Sequence, residues 1–383
     1  MSSIIYFDNA ATSWPKPESV AAAMTHYLRD IGGSPGRSGH RLALEAGRMV
    51  LQARENLAEL FNIVDPGRIV FTKNATEALN TALLGLLKPG DRVMTTAVEH
   101  NSVMRPLRRL EANRQVSVTV VPCDAKGRLD LEALRQALRQ PTRLVAVTHA
   151  SNVTGVINPL AAIGALAREA GAALLVDAAQ TAGAVPIDVE AMQIDLLAFT
   201  GHKSLFGPTG TGGLYVGEGL DLLPLTTGGT GSESEHEFQP EFMPDRLESG
   251  TLNSVGLAGL VAGTGFLLAT GVDKIRAHDR DLTARLLAGL TSIEQVQVYG
   301  PQQPERQASL VSFNVRGQSP AQVGLRLDEE FAVMCRVGLH CAPSAHRVLG
   351  TFPTGAVRFS LSCFNIFAEI EAAVAAVRQI ANG

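Results

Sequence analysis

Four cysteines are all that this 383-residue chain contains, and Cys123, Cys335, Cys341 and Cys363 are too few and too scattered to staple a disulfide framework. No Cys-x-x-Cys pair occurs, which argues against a structural zinc site, and no metal is expected. An excess of one charge is also missing: 33 Lys and Arg against 37 Asp and Glu leave a net charge of −4, with no acidic or basic block. A nucleic-acid footprint and an electrostatic role at a membrane surface are thereby excluded. The opening MSSIIYFDNAATSW lacks the basic stretch and apolar core of a signal peptide, so the cytoplasm is the expected location. No repeat and no low-complexity tract is present. Long apolar runs are absent too, save the uncharged stretch 252–272 (LNSVGLAGLVAGTGFLLATGV). Its five Gly, with Ser, Thr and Asn, and the Asp-Lys pair that follows suit a buried core helix better than a membrane span.

What is there is apolar material. Residues of hydrophobic type make up 45% and charged ones 18%, enough for a large core and against intrinsic disorder. The length suits two to three domains of about 150 residues. From about residue 42 short apolar runs alternate with helical periodicity, the latter clearest over 43–61. RIVFT (68–72), RVMTTA (92–97), VSVTVV (116–121), RLVAVTHA (143–150), ALLVDAA (173–179), LLAFT (196–200) and GGLYV (212–216) read as strands. Several are apolar throughout, as strands buried on both faces of a parallel sheet are. The chain is therefore α/β over this stretch. Past residue 220 a Gly-, Ser- and Glu-rich loop (226–241) leads to the uncharged helix, and then to a smaller α+β unit. We expect a large domain over 15–255 and a small one over 256–383 joined by 1–14, the boundary falling in or after the uncharged helix.

In open parallel sheets ligands bind at the carboxyl ends of the strands. Five strand ends here carry polar groups. Lys203, in TGHKSLFGPTG, follows an apolar strand in a Gly-rich loop, the position of an imine-forming amine or of an exposed loop lysine. Asp177 ends a Leu-Leu-Val run. Its buried carboxylate needs strong donors or a cation such as a pyridinium nitrogen, unless it caps a helix. Asn74 to Glu77 open a helix whose free N–H groups, with the Thr76 hydroxyl, form a phosphate site or an ordinary cap. His100 could stack on an aromatic ring and shuttle a proton, or be structural.

The segments YFDNAATSWPKP, NATEALN, VEHNS, HASNVTGVINPL, VDAAQTAGAVPIDV, TGHKSLFGPTGTGGLYV, RLESGTLNS, RVGLHCAP and VRFSLSCFN run in order from residue 6 to about 367. In them the chain resembles the pyridoxal-phosphate enzymes of the class V aminotransferase group, and within that group the group II cysteine desulfurases and selenocysteine lyases. The resemblance implies a fold-type-I architecture with a mostly parallel seven-stranded sheet, a homodimer, and pyridoxal 5'-phosphate as cofactor. Position by position, it implies that Lys203 holds the cofactor covalently and that Asp177 pairs with the ring nitrogen. Gln180 and Asn152 lie near the ring hydroxyl, and His100 stacks over the ring. Ala75, Thr76, Thr200 and His202 bind the phosphate. Thr251 reaches the cofactor phosphate of a neighbouring subunit. Arg358 grips the substrate carboxylate, with Asn152 and Arg336 beside the substrate.

Cys341 separates the reaction classes. A desulfurase needs a thiolate that attacks the sulfur of L-cysteine, leaving L-alanine and an enzyme persulfide, whereas a transaminase needs none. Cys341 lies among Arg336, His340, Pro343 and His346, neighbours that can lower a thiol pKa. Cys123 and Cys335 read as packing residues, and Cys363 leans the same way. The expected activity is a cysteine desulfurase with Lys203, Cys341 and His100 as catalytic groups, passing sulfur to an acceptor protein, with iron–sulfur assembly among its uses. Three alternatives stay open: a selenocysteine lyase acting on L-selenocysteine, another class V aminotransferase or lyase, and a non-catalytic sulfur carrier. Three departures from the group II pattern are Ala75 before Thr76, where two hydroxyl residues are common, a chain shorter than typical members, and the loop 228–241.

Overall fold

The computed structural model describes residues 4–36, 38–113 and 116–383, so residues 1–3 of the N-terminal segment lie outside the described residues. The first part of the chain runs β1 (Ile5–Tyr6), α1 (Glu18–His26), α2 (Arg41–Phe61), β2 (Ile69–Thr72), α3 (Ala75–Leu86), β3 (Asp91–Thr96) and α4 (Asn101–Ala112). It continues with β4 (Val116–Val121), α5 (Leu131–Ala137), β5 (Leu144–Thr148), α6 (Leu160–Glu169), β6 (Ala173–Asp177), β7 (Leu196–Thr200) and β8 (Gly212–Val216). After α7 (Ser254–Thr270) and α8 (Val272–Thr291) come β9 (Val296–Val298), β10 (Leu310–Val315), α9 (Pro320–Phe331), β11 (Val333–Met334) and β12 (Arg336–Gly338). α10 (Pro343–Val348), β13 (Ala356–Ser360) and α11 (Phe367–Asn382) end it.

Seven strands form the main sheet in the order β2-β8-β7-β6-β5-β3-β4. All neighbours are parallel except β8, which is antiparallel to both β2 and β7. The alternation of side chains explains why β6 reads as one apolar run. Leu174 and Val176 face a core shared with Leu57 of α2, Ile163 of α6 and Leu260 of α7. Leu175 faces the opposite core, with Leu79 and Leu83 of α3 and Leu107 of α4. With helices on both faces, neither parity is free to be polar.

α7 is the uncharged helix, and it packs on α1 and α2. Leu257, Leu260 and Leu267 belong to the first core, each contributing roughly 1.5–3 kcal/mol by burial. Gly263 is required by close approach: a Cβ there would lie 2.4 Å from the Leu205 carbonyl oxygen. Thus α7 braces the loop that follows Lys203. Among the described residues no single helix is long and apolar enough to cross a membrane, and α7 meets α8 at 82°.

Residues 256–270, placed by sequence with the small domain, pack in the first core. α8 supplies Leu282, Leu286 and Leu290 to a separate core with α9, α11 and the antiparallel sheet β12-β13-β10-β9. The N-terminus joins that second core: β1 pairs in parallel with β11, and Ile5 and Phe7 are buried there. Asp8 then bridges to Ser360 at the end of β13, which carries residues 9–16 across to the main sheet.

Candidate active site

The carboxyl ends of β2, β3, β5, β6 and β7 open onto one cavity of about 200 Å³, closed from the small-domain side by Arg336, His340 and Arg358. Eleven of the expected site residues line it: Ala75, Thr76, His100, Asn152, Asp177, Gln180, Thr200, His202, Lys203, Arg336 and Arg358. Cys341 and Thr251 are not part of that lining.

Lys203 follows β7 in a loop whose backbone is heavily tied. The His202 carbonyl accepts from Thr12 Oγ1 (3.0 Å), Ser13 N (3.1 Å), Ser13 Oγ (3.2 Å) and Lys16 Nζ (3.2 Å). Gly201 N donates to Thr211 O, and Phe206 N to Lys203 O. Burial lowers the Lys203 amine to about 8, helped by the Arg358 and Arg336 charges and opposed chiefly by Asp177. An amine in that range is partly unprotonated at neutral pH and can add to a carbonyl. Asp177, 5% exposed, is pushed up by burial, while the Ala179 amide (2.9 Å) and the Lys203 charge pull against it. A cation opposite Asp177 would complete its environment.

α3 is capped by Asn74, whose side chain accepts from Glu77 N at 3.0 Å. The Ala75 and Thr76 amides precede the first helical bond, and both residues line the cavity, which suits an anion site. Thr76 Oγ1 lies 2.7 Å from Ser102 Oγ on α4. Ser102 thus places a second hydroxyl beside Thr76, where Ala75 has none. His100 caps α4: its Nδ1 accepts from Ser102 N (3.1 Å) and lies 2.8 Å from Ser102 Oγ. Burial and the charges of Lys203, Arg336, Arg105 and Arg358 lower His100 to about 4. The ring is thus neutral at pH 7, and with Nδ1 accepting, its proton sits on Nε2.

Arg358 is 1% exposed yet lines the cavity. Its Nη2 donates to Asp8 Oδ1 at 2.8 Å and its Nη1 to Asn152 O at 3.1 Å. Among the described residues, Arg358 Nε and His202 Nδ1 are buried polar atoms without a partner. Both belong to cavity-lining side chains. Gln180 Nε2 donates to Ala10 O (3.2 Å), and Asn152 Nδ2 to His340 O (2.7 Å).

Two contributors, Asp8 and Ser102, were not identified from sequence, whereas Glu99 was among the polar residues at the strand ends. Asp8 lies in YFDNAAT, and its acidic character so close to an apolar strand was the available signal. Ser102 stands two residues after His100 at a helix start, where hydroxyls cap. Glu99 is fully buried: Oε1 accepts from Thr96 Oγ1 (2.6 Å) and Thr148 N (3.0 Å), and burial raises the carboxyl to about 8. The Asp177 charge pushes Glu99 the same way.

Cys341 is the exposed cysteine, while burial pushes the thiols of Cys123, Cys335 and Cys363 up to about 12. It sits in a tight turn: His340 and Cys341 have φ of 49° and 58°, both left-handed, a conformation costing roughly 1–2 kcal/mol per L-residue. Asn101 N donates to Cys341 O at 2.9 Å, joining the turn to the residue after His100. Of the four expected neighbours, Arg336 reaches the sulfur, with Nη2 3.7 Å from Sγ. Burial lowers His340 to about 2 and His346 to about 4, so both are neutral and neither supplies positive charge. Thr251 is exposed and lines a separate hollow with Lys73 and Asn253.

The profile of the family described as aminotransferase class-V matches residues 5–373. A Methanothermobacter thermautotrophicus protein named "Probable cysteine desulfurase" is 37% identical, the match covering 98% of this chain and 94% of that one. The apo structure of a cysteine desulfurase from Thermococcus onnurineus NA1 superposes with a TM-score of 0.94 at 35% identity, covering 99% of this chain and 95% of that one. The cysteine desulfurase CsdA (S-sulfonic acid) from Escherichia coli superposes with a TM-score of 0.88 at 30% identity, covering 98% and 94%.

Proposed function

This chain belongs to the class V aminotransferase family, and from that premise we propose how its cavity works. It is a cysteine desulfurase, acting on L-cysteine. The observation that carries the residue assignments is the exposed Cys341 thiol, 3.7 Å from Arg336, beside a cavity built around Lys203 and Asp177.

Three features support pyridoxal phosphate as the cofactor. Lys203 is an amine of lowered pKa, and Asp177 is a buried carboxylate that calls for a cation. The α3 N-terminus, with the Thr76 and Ser102 hydroxyls and the unpartnered His202 Nδ1, suits a phosphate. Lys203 would hold the group covalently, Asp177 would face its ring nitrogen, and His100 would stack over the ring. Gln180 and Asn152 would flank the ring hydroxyl, and Ala75, Thr76, Thr200 and His202 would hold the phosphate. Bound there, pyridoxal phosphate supplies an electron sink for the bonds at the substrate's α-carbon.

The chain's own groups do the rest. Arg358, oriented by Asp8, binds the substrate carboxylate as a two-pronged donor. Lys203 Nζ accepts the α-proton and returns it. His100, neutral and protonated at Nε2, presents a donor from that atom. Cys341 Sγ attacks the substrate sulfur: an S–S bond forms as the C–S bond breaks, and a proton replaces sulfur on carbon. L-alanine leaves, and Cys341 keeps the sulfur as persulfide for an acceptor protein. Because Thr251 stands outside its own chain's cavity, we assign it to the cavity of a second copy in a homodimer.

Incubation with L-cysteine and no acceptor tests the assignment. The peptide containing Cys341 should gain one sulfur atom by mass spectrometry, and a gain on another cysteine would overturn it.

A further inference from the structure

Behind the Cys341 turn three buried polar side chains stand in a row. His346 is fully buried, His340 is 3% exposed and Thr351 7%. His346 Nδ1 lies 2.7 Å from Thr351 Oγ1, His340 Nδ1 lies 3.3 Å from His346 Nε2, and His340 Nε2 lies 3.4 Å from the Arg336 carbonyl oxygen. The two rings are 5.4 Å apart and inclined by 31°.

The Arg336 carbonyl at one end fixes the direction of the ring bonds; the Thr351 hydroxyl at the other end is 2.7 Å from His346 Nδ1 and a longer 3.4 Å from the His346 carbonyl oxygen. A carbonyl cannot donate, so His340 Nε2 carries the hydrogen. Both rings are neutral and hold one N–H each, so His340 Nδ1 accepts from His346 Nε2–H. That leaves His346 Nδ1 as acceptor for the Thr351 hydroxyl. The reverse order would set the lone pair of His340 Nε2 against that of the Arg336 carbonyl. One arrangement therefore satisfies all four ring nitrogens.

The row ends on the two residues that frame the sulfur. His340 immediately precedes Cys341 in the left-handed pair, and Arg336 carries the guanidinium 3.7 Å from Sγ. Outside the row the turn is anchored by Asn152 Nδ2 on His340 O and by Asn101 N on Cys341 O. Those bonds hold carbonyls and leave the His340 ring to the row.

We propose that Thr351 and His346 are positioning residues for Cys341, holding the His340 ring and the Arg336 backbone so that the thiol stands at the cavity rim. The consequence for sulfur transfer rests on the desulfurase reading above; the consequence for the thiol does not.

The test uses purified holoenzyme carrying Thr351→Val, Thr351→Ser or His346→Gln. Thr351→Val deletes the hydroxyl at near-constant volume, and Thr351→Ser keeps it. His346→Gln keeps a donor and an acceptor, but on one amide carbon at the end of a flexible chain rather than fixed on opposite edges of a rigid ring. Alkylation of Cys341 by iodoacetamide without L-cysteine, followed on its peptide by mass spectrometry, reads the thiol directly. In Thr351→Val and His346→Gln that rate should change in the same direction. In both, kcat should fall by about tenfold with KM and the cofactor absorbance kept, as expected for one buried unpaired polar group. Thr351→Ser should restore both rates. An unchanged alkylation rate in Thr351→Val and His346→Gln, or a Thr351→Ser enzyme as impaired as Thr351→Val, would overturn the proposal. A wild type that makes no alanine would instead sink the desulfurase reading, while the alkylation comparison would still decide the role of the row.

Discussion

Arg358 and Asp8 lie 350 positions apart in the chain, yet Nη2 of the one donates to Oδ1 of the other at 2.8 Å. The guanidinium is almost fully buried, so Asp8 provides both its countercharge and its orientation. Asp8→Asn keeps a hydrogen-bond acceptor and removes the charge. KM for L-cysteine should rise by about tenfold with a smaller change in kcat, as expected for a disturbed charge-assisted contact to substrate. Steady-state kinetics would read this, and an unchanged KM would remove Asp8 from substrate positioning.

Lys203 is assigned as the covalent anchor. Wild type loaded with pyridoxal phosphate and treated with borohydride should carry the reduced cofactor on the peptide containing Lys203. Lys203→Ala should carry none and make no alanine. Label on a different lysine, Lys16 being the nearest rival through its contact with His202 O, would contradict the assignment.

Thr76 and Ser102 share one hydrogen bond at 2.7 Å, and both line the cavity. Ser102→Ala and Thr76→Ala should each weaken pyridoxal-phosphate binding by about tenfold, and the double variant by less than the product, because the hydroxyls are coupled. Equilibrium dialysis of the apo-protein would show it. Full additivity would mean that the two act separately.

Glu99 makes stability depend on pH. Its folded carboxyl lies near 8 against an ordinary 4.5, so between those values the folded chain holds a proton that the unfolded chain has lost. This contribution to stability therefore falls as pH rises from 4.5 to 8, by at most about 1.4 kcal/mol per unit, and levels off above. Glu99→Gln stays neutral throughout. Denaturant melts at pH 5 and pH 8.5 should show a smaller loss in the variant than in wild type; equal losses would mean that Glu99 is ionised in the fold.

The main sheet was legible because strands buried on both faces leave unbroken apolar runs, as Leu174, Leu175 and Val176 do. Strand ends then pointed to Lys203, Asp177 and His100. Short pieces such as β1, β11 and β12 carry two or three residues each, too few for a period to register. α4 was obscured by Pro106 and three arginines within its twelve residues. The pairing of Asp8 with Arg358 depends on how β1 docks on β11, which no local pattern encodes. His340 and His346 look like cations beside Cys341 in sequence; burial makes them neutral, a tertiary effect. Thr251 is placed by its own chain on an outer surface, so its role depends on a second chain.

The most direct measurement is an anaerobic assay of alanine and sulfide from L-cysteine and a thiol reductant, with wild type and Cys341→Ala side by side. The account predicts equal amounts of alanine and sulfide from wild type, and neither from the variant, which should keep the cofactor absorbance. Sulfide production by Cys341→Ala at the wild-type rate would contradict it.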